Sequence, residues 1–149
     1  MERTPANERA KRNGVCEDDM EGNPYVVPMN FGYEDGIIYL HSGPEGSKVE
    51  MLEHNNNVCI TFSLGHKLVY QHEKVACSYM RSESAMCRGK VEFVEDMEEK
   101  RGALDIIMCH YTNNEFNYSD PAVRNVKVWK VPVDRMTGKV FGLRADEKP

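Results

Sequence analysis

The sequence has no apolar run that approaches the roughly 20 residues a membrane-spanning helix needs. Residues 1–14 are polar and charged, without the apolar centre of a secretory signal peptide. We therefore expect a cytoplasmic protein with no membrane partner.

An excess of basic residues is also absent. The chain carries 24 acidic and 19 basic residues, and its formal net charge is −5 at pH 7. Proteins that bind nucleic acids usually cluster Lys and Arg on one face to neutralise phosphates. The charge balance therefore predicts no nucleic-acid partner.

Sequence signatures of metal sites and of common catalytic loops are missing as well. None of the five cysteines forms a Cys-x-x-Cys pair, and the five histidines show no ligand spacing such as His-x-x-x-His. We expect buried, reduced thiols and no metal site. The phosphate-binding GxxxxGKS/T loop, the dinucleotide fingerprint GxGxxG and the nucleophile motif GxSxG are also absent.

The composition that remains fits one domain. The chain has 149 residues, of which 40% are hydrophobic, enough for a single core. The high charge and scattered apolar residues of residues 1–20 predict a flexible arm. We expect the folded domain over residues 21–143 and a loose tail over residues 144–149.

Periodicity in this domain predicts mostly strands. We expect strands at residues 25–31, 37–42, 58–63 and 126–133, and a long β region at 75–94 with an irregular polar centre at 80–84. Helices are predicted at residues 48–54 and 96–110, the second capped by Asp96. Asp35-Gly36 has the chemistry of a hairpin turn. The order favours a mainly β fold with α, an antiparallel barrel with two packed helices.

The segment from residue 37 to residue 48 contains the main candidate site. A strand ends in His41 and Ser42, a glycine-containing loop follows, and Ser47 and Lys48 begin a helix. Backbone amides at a helix start, the helix dipole, a hydroxyl and an ammonium group can converge on a phosphate. A tight turn with a solvated Lys48 explains the same residues equally well.

His41 lies beside this loop, where a neutral imidazole can hydrogen-bond a cofactor or a substrate. The competing interpretation is a half-buried histidine that bonds only to backbone. The polar centre at residues 80–84, which includes Ser84, is typical of a strand face that meets a polar ligand.

Taken together, these segments resemble the FMN-binding split-barrel superfamily, the pyridoxamine 5′-phosphate oxidase-like proteins. The likeness is greatest to its Nim-type branch, the 5-nitroimidazole antibiotic resistance proteins. The matching stretches are NPYVVPMNF at 23–31, IYLHS at 38–42, GSK at 46–48, SA at 84–85 with GKV at 89–91, and MTGK at 136–139.

The resemblance implies a six-stranded antiparallel split barrel with flanking helices, and a homodimer with FMN at the subunit interface. It implies that Ser47 and Lys48 meet the phosphate and that His41 is the catalytic residue near the flavin. It also implies that Pro28, Met29 and Asn30 lie by the isoalloxazine, with Ser84 on the adjacent strand. Ser42 and Trp129 are further candidate cofactor contacts by their positions in the predicted strands. For Trp129, packing in the core or in a dimer contact competes with stacking near the flavin.

The implied activity is that of an FMN-dependent oxidoreductase reducing a small electrophile such as a nitroaromatic, with an external electron donor. A non-catalytic module that binds flavin or haem on the same barrel is the main alternative, and a domain without a cofactor is the third. The substrate-binding motifs of true pyridoxamine phosphate oxidases are not visible, so oxidation of vitamin B6 itself is not expected.

Overall fold

The computed structural model describes residues 12–18 and 21–142. Within them lie the strands β1 (Arg12–Asp18), β2 (Pro24–Val27), β3 (Phe31–Glu34), β4 (Ile37–Ser42), β5 (Asn57–Val69), β6 (Tyr79–Lys90), β7 (Glu92–Val94) and β8 (Lys127–Phe141). The helices are α1 (Ser47–His54), α2 (Met97–Tyr111) and α3 (Asp120–Arg124). No helix in the described part of the chain is long and apolar enough to cross a membrane.

The strands pair only in antiparallel fashion and form one open sheet in the order β2-β1-β5-β6-β8-β4-β3, with β7 added beside β8. This confirms the mainly β, antiparallel class with flanking helices. The described residues form eight strands rather than the six expected. One reason is that the predicted strand at 25–31 divides into β2 and β3 around Pro28, which has no amide hydrogen for a ladder.

The long strand β8 connects two parts of the sheet because its two halves pair with different strands, while β7 pairs with residues 128–130 on its other edge. Its first half pairs with β4 from Lys127 to Pro132, and its second half pairs with β6 from Val133 to Phe141. The register shifts between Arg88 and Gly89, where β8 bends. The strand therefore connects the two parts of the sheet.

Two apolar clusters lie on opposite faces of this sheet. The interior cluster includes Phe31, Leu40, Ile60 and Trp129. A second cluster forms where α2 and α3 cover the outer face of β4 and β8, and it contains Val94, Ala103, Leu104, Val123 and Val128. Helices α2 and α3 thus cover the sheet face opposite the interior cluster, whereas Leu52 of α1 packs into that cluster.

Two local predictions are confirmed in detail. Asp35 and Gly36 have φ angles of 48° and 82°, as a two-residue hairpin turn with both central residues left-handed requires. The Asp96 carboxylate accepts hydrogen bonds from the amides of Glu98 and Glu99, at 3.0 and 2.9 Å, and so caps α2.

The predicted arm is wrong for residues 12–18, which form β1 between β2 and β5. Val15 has no exposed surface because it lies between Val27 and Ile60 of the neighbouring strands. β2 is the next strand along the chain, but Ile60 lies 45 residues from Val15, so the segment's own composition does not reveal that it pairs with β5. The remaining arm positions and residues 143–149, with the predicted tail, lie outside the described residues.

The β region at 75–94 also differs from the prediction. Residues Val75–Cys77 form a short 3-10 turn, and β6 runs regularly through the polar centre because β5 and β8 supply hydrogen bonds on both sides. The four cysteines outside β1 are unbridged. Only Cys87 among them is fully buried, while Cys77 and Cys109 are exposed, so the expectation of buried thiols was wrong for these two.

Candidate functional site

The loop between β4 and α1 is built to leave a helix start open. Gly46 occupies the N-cap position with a φ of 122°, and no side chain caps the helix. The buried side chains of Val49 and Leu52 fix α1 against the core. The exposed Ser47 and the half-buried Lys48 stand in its first turn. The amides of Val49 and Glu50 donate to the Gly46 carbonyl, at 2.9 and 3.2 Å, so the amides of Ser47 and Lys48 are the ones that depend on water or a ligand for an acceptor.

His41 presents an unsatisfied atom beside this loop. Its Nδ1 is buried and has no hydrogen-bond partner in the described structure. Burial lowers the pKa of the imidazole from its ordinary value of 6.5, so the side chain is neutral at neutral pH. A buried polar atom without a partner is costly. A bound molecule that offers a donor or an acceptor would remove that cost.

Residues 28–30 lie next to this position through the β3–β4 pairing. Phe31 is opposite Leu40, so the residues that precede Phe31 lie near those that follow Leu40. Met29 is buried in the interior cluster, whereas Pro28 and Asn30 are exposed. The structure therefore gathers these three residues, His41, Ser42 and the α1 start at one end of β4.

Two residues of α2 that the sequence did not suggest, His110 and Tyr111, contact Phe31 at the start of β3. The backbone N–H of Phe31 donates to the Tyr111 hydroxyl at 3.0 Å, and the His110 ring centre is 4.2 Å from that of Phe31. Burial raises the pKa of Tyr111, which keeps its phenol protonated. The sequence showed only that two ring-bearing residues, His110 and Tyr111, end the predicted helix. Residue spacing cannot indicate that Tyr111 bonds to a residue 80 positions away.

Trp129 lies on the other face of the sheet from His41. It pairs with Leu40, whereas His41 pairs with Val128, and residues directly opposite each other share a face. Trp129 has no exposed surface and meets Phe93 edge to face at 6.4 Å. Its burial favours the core interpretation over stacking on a ligand. Its Nε1 is buried without a described partner.

Ser84 is separated from the other predicted residues. It pairs with Ser63 of β5 and with Lys139 of β8. Val128, opposite His41, and Lys139 lie eleven residues apart on β8, or about 36 Å of strand. One chain therefore supplies two separate parts of the predicted site.

Among the described residues, no group of three or more His, Cys, Asp or Glu side chains is arranged to hold a metal ion.

Comparison with known proteins identifies the fold and close relatives. A family model described as pyridoxamine 5′-phosphate oxidase matches residues 15–140. The crystal structure of a proposed 5-nitroimidazole antibiotic resistance protein from Bacteroides thetaiotaomicron is 74% identical, with a TM-score of 0.81 over 91% of this chain and 80% of that chain. None of the curated proteins matches significantly.

More distant structures share the fold. A flavocytochrome from Azotobacter vinelandii is 22% identical with a TM-score of 0.76, over 91% of this chain and 64% of that chain. An FAD and haem binding protein from Mycobacterium smegmatis is 17% identical with a TM-score of 0.77, over 95% of this chain and 72% of that chain.

Proposed function

The chain belongs to the pyridoxamine 5′-phosphate oxidase family, and we propose that it binds FMN and acts as an oxidoreductase that reduces a small electrophile such as a nitroaromatic compound. The observation that carries this proposal is the buried, unpaired Nδ1 of His41 beside an uncapped helix start. An anionic planar cofactor fits both features at once. The flavin would supply the hydride or electron transfer, and the protein would bind and orient it.

The chain's own residues divide the task of binding. The Ser47 hydroxyl, the Lys48 ammonium and the backbone amides of these two residues would hold the phosphate, since a helix start favours negative charge. The segment at residues 28–30, with Pro28 and Asn30 exposed, would lie along the ring system. The neutral His41 would hydrogen-bond the cofactor or the substrate through Nδ1, which makes it the candidate catalytic residue.

The separation of Ser84 from these residues supports a homodimer. A second copy could bring its own Ser84 to the β4 end of the first chain, so that the cofactor lies between two subunits. Exposed apolar side chains support this arrangement. The outer end of the β5–β6–β8 sheet, defined by Leu68 of β5 and Phe141 of β8, leaves these two side chains 59% and 50% exposed. Large apolar side chains in such a group favour burial against a partner.

The nitroaromatic substrate class is the most specific part of the proposal. It is supported by the 74% identity to the Bacteroides thetaiotaomicron protein, whose proposed role is 5-nitroimidazole resistance.

The decisive experiment begins with the visible spectrum of the purified protein and mass spectrometry of the extracted ligand. We expect a flavin spectrum and FMN in the extract. The Lys48→Gln variant should bind FMN more weakly than the wild type, whereas Lys67→Gln, which alters an exposed lysine of β5, should not. A protein that is colourless and fails to take up added FMN would refute the proposal.

Activity is tested separately with the FMN-loaded protein, a nitroimidazole and a chemical or nicotinamide reductant. His41→Ala should retain FMN and lose most of the turnover. Unchanged turnover in this variant would show that His41 is not catalytic. An FMN-loaded wild type that reduces no nitroaromatic or quinone would favour the non-catalytic alternative.

A further inference from the structure

The outer face of the β5–β6–β8 sheet is basic, although the chain as a whole is acidic. Along β6, Cys87 and Gly89 are buried while Arg88 and Lys90 are exposed, so the arginine and the lysine face outward. Arg135 and Lys139 share that face through their β6 partners. At the described outward positions of these strands, from residue 57 to 63, 82 to 90 and 135 to 141, there is no Asp or Glu.

Arg88 and Arg135 stand directly opposite each other on β6 and β8. Like charges in this position destabilise a sheet, so such a pair needs an explanation. Neither guanidinium forms an ion pair within the described residues, and the neighbouring Asp134 bonds to neither arginine. An anion between the two arginines would turn the repulsion into attraction.

The surface at this point is concave. A cavity of about 90 Å³ is lined by Met86, Arg88, Arg135 and Thr137. Two guanidinium forks can each give paired N–H donors to one phosphate. The Thr137 hydroxyl adds a donor, and Met86 supplies an apolar wall for the rest of a ligand.

We propose that Arg88 and Arg135 form a binding site for the phosphate group of a small molecule. The site is separate from the helix start at Ser47 and Lys48, since it lies on the outer face of another part of the sheet. It also lies beyond Ser84, because Arg88 is four residues further along β6, or about 13 Å of strand. It does not require that the protein bind a flavin.

The test is calorimetric titration of inorganic phosphate into the protein as purified, at constant ionic strength. We expect Arg88→Gln and Arg135→Gln each to weaken phosphate binding about tenfold or more, because each removes one charged fork. Arg88→Lys should lose part of the affinity, since it keeps the charge without the fork. Lys90→Gln is the matched control on the same face and should change the affinity by less than about twofold.

Several outcomes would overturn the proposal. They are a wild type that binds no phosphate, arginine variants that bind as the wild type does, and a Lys90→Gln loss as large as theirs, which would indicate diffuse surface charge. FMN content and oligomeric state are measured on the same samples. Loss of FMN in the arginine variants would assign the pair to the flavin site. Loss of a dimer in the arginine variants would indicate that Arg88 and Arg135 bind carboxylates of a second copy.

Discussion

His41 lies near the end of β4 and has a ring nitrogen that no other described residue bonds. Its position on β4 follows from the hairpin before it, and its partly buried imidazole follows from the packing around Val128. Burial keeps the ring neutral, and the unpaired Nδ1 leaves one strong hydrogen-bonding atom for a ligand. A histidine whose ring nitrogens both bonded to backbone would have no nitrogen left for a ligand.

The lowered pKa of His41 predicts how stability changes with pH. Below pH 6.5 the unfolded chain takes up a proton that the folded imidazole resists. The contribution of His41 to stability is therefore present above pH 6.5 and is lost as the pH falls through the folded pKa. We expect the melting temperature to fall less steeply between pH 7 and pH 5 in His41→Gln than in the wild type.

The control for this prediction is His66→Gln, which replaces an exposed histidine of β5. Its melting temperature should follow the pH as the wild type's does. A His41→Gln curve parallel to both would show that burial of this imidazole does not contribute to acid sensitivity.

Among the elements, the close pairing of β6 with β8 at the register shift leaves no room for a side chain at Gly89. A Cβ there would meet the Pro132 carbonyl oxygen and come within 2.8 Å of Val131 Cγ1. The carbonyl is part of β8, which pairs with β4, and cannot move without disturbing that ladder. We expect Gly89→Ala to lower the free energy of unfolding by about 1–3 kcal/mol or more.

Gly102 provides the matched substitution, because it is exposed in α2 and a Cβ there meets nothing within 4 Å. Gly102→Ala should stabilise the protein by about 0.5–1 kcal/mol, since alanine favours the helix. Denaturant unfolding of both variants measures the difference. Equal midpoints for the two variants would contradict the crowding at Gly89.

Helix α2 depends on its cap, because its first-turn amides bond to Asp96. We expect Asp96→Ala to reduce the free energy of unfolding by about 1 kcal/mol, whereas Asp96→Asn keeps most of the stability. Thermal or denaturant melts measure both variants. If Asn destabilises as much as Ala, charge rather than capping geometry is the important property of this position.

At the scale of the whole molecule, the two parts of the candidate site lie at distant points of β8. The proposed dimer brings them together and covers apolar residues at the outer end of the sheet. Phe141 is half exposed there, although its ring meets Tyr79 edge to face at 6.4 Å and the Lys139 ammonium lies 5.8 Å from its centre. Its ring is therefore available to a second copy.

Replacing Phe141 by Glu should weaken the dimer about tenfold or more, because a charge would enter an apolar contact. FMN should be lost together with the dimer. Phe116→Glu, in the loop between α2 and α3, is the control and should leave both unchanged. Light scattering and absorbance measure the two properties. A Phe141→Glu protein that stays dimeric with bound FMN would contradict this arrangement.

Local chemistry by itself determined several features of this protein. The Asp-Gly turn, the strand Ile37–Ser42 and the Asp96 cap follow from residues within a few positions of each other, and the structure confirms them. The same holds for the short helix α1, whose start follows Gly46. These features are encoded where they occur, so a single sequence is enough to predict them.

Only the tertiary structure decided which of these pieces meet. Val15 becomes a core residue because β5, whose Ile60 lies 45 residues away, pairs with β1, and Trp129 turns away from His41 because the β4–β8 register places them on opposite faces. The bond between Phe31 and Tyr111 likewise joins residues 80 positions apart. Pairing register and distant contacts are properties of the whole sheet, and no local pattern contains them.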